Sequence, residues 1–145
     1  MRAAPVLHHD ETPARVAADD GDRLLYVYTA RAGRLLWFGA AAGRGHAELD
    51  GFGILPGYRG TLVRDDYAGY AKYDRHLAGV QLCCAHLLRS LRGLGELDGE
   101  GSRVQRCWTE PVMSALTDAK AAVTQARRPG GHLRGGAGAG RAALP

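Results

Sequence analysis

Two runs of β-forming residues, parted by a glycine turn, commit the first part of this chain to an antiparallel sheet. Leu24-Leu25-Tyr26-Val27-Tyr28-Thr29 is rich in aromatic and β-branched residues, which fit a pleated, half-buried surface. Ala32-Gly33 marks a turn, and Arg34-Leu35-Leu36-Trp37-Phe38 returns as the second arm. An apolar-led run from Pro5 to His9, ending in Asp10-Glu11-Thr12, adds a further strand. Arg15-Val16-Ala17 and the acidic turn Asp19-Asp20-Gly21-Asp22 lie between it and the hairpin. The spacing predicts a meander of about three strands.

The pattern then changes. Residues 44–52 read as a short helix closed by Gly51 and Gly53. Gly60-Thr61-Leu62-Val63-Arg64-Asp65 reads as a short buried strand that stops at an acidic pair, followed by a tyrosine-rich turn, Tyr67-Ala68-Gly69-Tyr70. Val80-Gln81-Leu82-Cys83 reads as another buried strand. From His86 to Leu94, Leu87, Leu91 and Leu94 share one helical face while Arg89 and Arg92 point away. A last helix is predicted from near Thr109, with Pro111 in its first turn and Val112, Leu116, Ala119 and Val123 aligned. Strands first, then single strands alternating with helices, predict an α/β fold built on a mixed sheet.

A chain of 145 residues holds one well-cored domain rather than two, and 46% hydrophobic with 23% charged residues is a globular balance. No apolar run approaches the roughly 18 to 20 residues that span a bilayer, and no signal-type apolar core follows Met1-Arg2-Ala3-Ala4-Pro5. The expectation is a soluble, cytoplasmic protein with no membrane partner. Its 3 cysteines, Cys83 and Cys84 adjacent, make no disulfide framework.

The net charge of +4 belongs to the end of the chain, where Arg127, Arg128, Arg134 and Arg141 have no acidic neighbour. Residues 1–126 are neutral in sum, so the body lacks the basic surplus of a strong nucleic-acid footprint. Residues 127–145 are glycine-rich and carry no apolar periodicity. They are expected to be a disordered tail behind a domain spanning 1–126.

Two acidic groups stand at strand ends, Asp10 with Glu11 and Asp65 with Asp66. Aspartates at such places also cap helices and fill turns. Carboxylates on neighbouring strands, however, repel each other until a hard cation neutralises them. Two such cations can activate a water or a 3′-hydroxyl against a phosphodiester. Cys83-Cys84-Ala85-His86 offers Cys83 and His86 at a spacing suited to half a structural zinc site, with Cys107, His8, His9, His46 and His76 as other candidate ligands. The simpler alternative is a cysteine buried at a strand end and a helix-capping histidine. No phosphate loop or nucleophile elbow is visible.

Three of these segments, in this order, resemble the catalytic core of transposases of the insertion sequence 66 family. They are Val6-Leu7-His8-His9-Asp10-Glu11-Thr12 with the following strand Arg23–Tyr28, then Gly57–Asp65 with Tyr67-Ala68-Gly69-Tyr70, then Cys83-Cys84-Ala85-His86-Leu87-Leu88-Arg89. Asp66 stands where that family's glycine is usual. The resemblance implies an RNase H-like fold of the DDE type, two Mg²⁺ ions and strand transfer of DNA ends. It implies Asp10 as the first catalytic metal ligand and Asp65 as the second, with Cys83 and His86 in a structural role.

The family's third carboxylate lies in an Asn-Asn-x-x-Glu-Arg segment, and none of Glu96, Glu100 or Glu110 has that context. The expectation is therefore a partial core, truncated before its last helix and inactive alone. Its partners would be insertion-sequence DNA ends, a full-length transposase or a second copy through exposed apolar sheet surface. The alternative function is a non-catalytic module that binds DNA or a transposase.

Overall fold

A computed structural model describes residues 1–19, 21–96 and 101–128. The chain divides into two compact units, Met1–Leu87 and a second beginning at Leu88. The first contains β1 (Val6–Val16), β2 (Arg23–Ala32), β3 (Leu35–Ala41), α1 (His46–Gly51), β4 (Thr61–Arg64), a 3₁₀ turn (Ala68–Tyr70), α2 (Ala71–Asp74) and β5 (Gly79–Leu82). Helix α3 (Cys84–Gly95) starts in this unit, and α4 (Gly101–Ala126) lies in the second.

The five strands form one mixed sheet in the order β3-β2-β1-β4-β5. β1, β2 and β3 are the expected antiparallel meander, whereas β4 runs parallel to β1 and β5 parallel to β4. Gly33, at φ 59°, occupies the first loop position of the β2–β3 hairpin, where side chains are disfavoured. α1 closes as the glycines predict. Gly53 takes φ 67°, and its N–H donates to the Asp50 carbonyl at 2.8 Å.

Strand alternation sorts the sheet into two faces. Leu7, His9, Tyr28, Ala30 and Leu62 are buried. The apolar members of this set pack with Leu49 of α1, Leu55, Tyr58, Tyr70 and Tyr73. Tyrosines dominate this core, and their hydroxyls are satisfied. Tyr28 donates to the Gly43 carbonyl at 2.8 Å, Tyr58 to the Thr61 carbonyl at 3.0 Å, and Tyr70 to Glu11. The opposite face carries His8, Asp10, Thr29, Arg31, Leu36, Phe38 and Val63 around a shallow cavity.

Two boundaries and one burial reading differ from the sequence: β5, expected to be buried, is an edge strand with Val80 and Leu82 exposed. β1 continues past Thr12 to Val16, because Arg15 and Val16 pair with Leu24 and Arg23. Pro13 is tolerated there because β4 pairs β1 along Val6–His8 and β2 alone flanks the strand beyond. α4 begins at Gly101 instead of near Thr109, so Pro111 lies inside the helix. An interior proline removes one backbone donor and crowds the carbonyl four residues earlier, at a cost of about 3 kcal/mol, yet α4 continues through it. Most of the predicted tail lies outside the described residues.

Candidate active site

β1 pairs with β4, and the two candidate aspartates, one on each side of that pairing, line one cavity. Val6, Leu7 and His8 align with Thr61, Leu62 and Val63. Asp10 lies two residues beyond this pairing, inside a β1 that runs on to Val16, and Asp65 lies two residues beyond it on the other strand. Asp65 lies one residue past β4, and its Oδ1 accepts the Tyr67 N–H at 3.0 Å. That side-chain turn bends the chain off the sheet. Asp10 Oδ1 accepts the Glu11 N–H at 3.0 Å. Asp66 is exposed and does not line the cavity.

The cavity, of about 370 Å³, gathers all four residues singled out in the sequence: Asp10, Asp65, Cys83 and His86. Cys83 is held at the end of β5, where its N–H donates to the Arg64 carbonyl at 2.6 Å. His86 lies in the first turn of α3, with Nε2 3.7 Å from Asp10 Oδ1 and a buried Nδ1 that has no protein partner. Arg31 and Phe38 line the side toward β2 and β3. Among the described residues, no group of three or more His, Cys, Asp or Glu side chains is arranged to hold a metal ion.

Behind the aspartates, on the core face, lies a polar cluster that sequence reasoning missed. Glu11, with a side chain 1% exposed, accepts a 2.7 Å bond from Arg44 at Oε1 and the Tyr70 hydroxyl at Oε2. His9 Nδ1 lies 2.9 Å from the same hydroxyl. The Arg44 guanidinium sits 3.8 Å from the centre of the Tyr67 ring, and the Tyr67 hydroxyl donates to the Arg44 carbonyl at 2.9 Å.

Burial governs the electrostatics here. It pushes His9 down to about 4, against the attraction of Asp65, so the ring is neutral at ordinary pH. It also raises the Glu11 carboxyl, opposed by the Tyr70 hydrogen bond and by Arg44. The signal in the sequence was strand alternation: if Asp10 faces the open side, Glu11 faces the core and requires partners.

No helix among the described residues is long and apolar enough to cross a membrane. No curated protein sequence matches the chain. Among solved structures, it is similar to a chain in the cryoEM structure of the simian T-cell lymphotropic virus intasome in complex with PP2A regulatory subunit B56 gamma. The two are 13% identical with a TM-score of 0.36, over 73% of this chain and 49% of that one, so the alignment spans about half of that chain. The family model described as Transposase IS66 family matches residues 1–135, and the chain belongs to that family of transposases.

Proposed function

We propose that Met1–Leu87 is the portion of a DDE-type catalytic core that carries its first two carboxylates, Asp10 and Asp65, for Mg²⁺-dependent cleavage and joining of DNA. The observation that carries this reading is that Asp10, within β1, and Asp65, one residue past β4, line one cavity beside the parallel β1–β4 pairing. The strand order β3-β2-β1-β4-β5, antiparallel for the first three and parallel for the rest, supports an RNase H-like assignment. Family membership supports DNA, in particular insertion-sequence ends, as the partner.

The donor set fits a hard cation by type, being two carboxylates that line one cavity. It is one carboxylate short of the set the family resemblance implies. Bound Mg²⁺ would supply activation of a water or 3′-hydroxyl and stabilise the leaving oxygen of a phosphodiester. The chain's own part is to orient the two carboxylates by the backbone N–H groups of Glu11 and Tyr67. Cys83 and His86 are read as structural, shaping the wall of the same cavity.

The sequence contains no Asn-Asn-x-x-Glu-Arg segment, so this chain by itself is proposed to be inactive in transposition. A strand-transfer assay with DNA bearing matched terminal repeats, in Mg²⁺ or Mn²⁺, tests that. No joining is expected, and clear joining overturns the inactivity. Mn²⁺ added to the labelled protein should broaden the amide signals of residues 9–11 and 64–66. Broadening confined elsewhere overturns the assignment of Asp10 and Asp65.

A further inference from the structure

Asp10 and Asp65 are joined to each other through the buried face of the sheet by a continuous set of contacts. Asp10 Oδ1 accepts the N–H of Glu11 at 3.0 Å. The Glu11 carboxylate receives Arg44 at 2.7 Å. The Arg44 guanidinium carbon lies over the Tyr67 ring, 3.8 Å from its centre, and the Tyr67 hydroxyl returns a 2.9 Å bond to the Arg44 carbonyl. The N–H of Tyr67 then donates to Asp65 Oδ1 at 3.0 Å. A second strut runs from the Glu11 carboxylate to the hydroxyl of Tyr70, which also meets His9 Nδ1 at 2.9 Å.

We infer that Glu11, Arg44 and Tyr67 form a clamp that sets the orientation of the Asp10 and Asp65 carboxylates, and that Arg44 is its positioning residue. The inference rests on the reading of those aspartates as cation ligands. β4 pairs with β1 over Val6–His8, and Asp10 and Asp65 both lie beyond that pairing. The ladder holds the two strands together but stops short of both aspartates, so the orientation of their carboxylates is left to other contacts, and their like charges repel. Arg44 is suited to making such contacts. One guanidinium N–H bonds the Glu11 carboxylate while the guanidinium carbon lies over the Tyr67 ring, a pair of contacts that the compact, strongly hydrated ammonium of a lysine does not reproduce. Residues behind the ligands of a metal site typically tune its affinity by about 10- to 100-fold.

The test uses the full chain and Mn²⁺ alone as probe, read by paramagnetic broadening of the amides of residues 9–11 and 64–66. Unfolding curves on the same samples establish that each variant is folded. Arg44 has a side chain 39% exposed, so Arg44→Met opens no core cavity, although it takes one of two partners from the buried Glu11 carboxylate. It should need about tenfold more Mn²⁺ for equal broadening, with Arg44→Lys falling between it and the unaltered chain. A purely structural role would lower the melting point and leave the Mn²⁺ response of the folded protein alone.

If Arg44→Met does not fold, Arg44→Lys and Tyr67→Phe carry the measurement. Folded clamp variants that respond like the unaltered chain, while Asp10→Asn loses the broadening, overturn the clamp and leave the two-aspartate site standing. Unchanged broadening in Asp10→Asn overturns the site itself, and the clamp with it.

Discussion

His9 Nδ1 and the Tyr70 hydroxyl meet at 2.9 Å across 61 residues of sequence. The same hydroxyl donates to Glu11, so one oxygen ties two consecutive odd-numbered side chains of β1 to the turn that follows β4. Tyr70→Phe removes that oxygen and nothing else of the ring. It leaves a buried imidazole and a buried carboxylate each short of a partner, which costs about 1–3 kcal/mol. Urea unfolding of the variant should show a lower midpoint with an unchanged slope. An unchanged midpoint would mean that water replaces the hydroxyl at no cost.

The meander was legible because Leu24–Thr29 and Arg34–Phe38 carry local β-forming patterns around a glycine turn. The placement of β4 and β5 was not. Parallel neighbours are brought together by burial over long sequence distances, and nothing local in Thr61–Arg64 names β1 as its partner. Two acidic groups at apparent strand ends suggested that Asp10 and Asp65 meet, but only the resemblance gave them roles. Arg44 escaped notice because its role depends on Glu11 and Tyr67, each distant in sequence, and a loop arginine has no pattern of its own. Pro111 misled in a different way. Its fixed φ suits a first turn, whereas inside α4 it forfeits one i→i−4 hydrogen bond and crowds the preceding turn, a cost that the rest of a 26-residue helix bears.

Alkaline pH should unfold this protein through its tyrosines. Burial pushes Tyr28 up to about 12, and it raises Tyr70 and Tyr73 as well. In the unfolded chain these phenols ionise near about 10. Folding favours the protonated forms, so their contribution is fully present below about pH 10 and is lost as pH rises through the folded-state value. Denaturation midpoints should hold steady to that point and then fall, with tyrosinate absorbance appearing in step with unfolding. Ionisation of Tyr28 itself, followed by its ring NMR signals in a protein that is still folded, would contradict its burial.

Two ion pairs of similar length should differ sharply in worth. Arg64 meets Asp74 at 2.8 Å with side-chain exposures of 8% and 35%, and Arg64 also donates to the Asp65 carbonyl. Lys72 meets Asp50 at 2.5 Å, but the two side chains are 34% and 46% exposed. Asp74→Ala strands a buried guanidinium and should cost about 1–3 kcal/mol. Lys72→Ala should leave stability near that of the parent, since exposed pairs are screened by solvent. Equal losses in thermal unfolding would show that burial does not separate them.

The two sheet faces make the last contrast. Leu7 is fully buried on β1, whereas Phe38 on β3 is 61% exposed beside Leu36 at 55%. Leu7→Ala opens a cavity in the tyrosine core and should cost about 2–5 kcal/mol. Phe38→Ser removes apolar surface that already faces solvent, so stability should barely change. Exposed apolar patches drive association between molecules. Phe38→Ser should therefore shift sedimentation toward the monomer at concentrations where the parent self-associates. A parent that stays monomeric at high concentration, or a Phe38→Ser variant as unstable as Leu7→Ala, would show that this face is covered in solution.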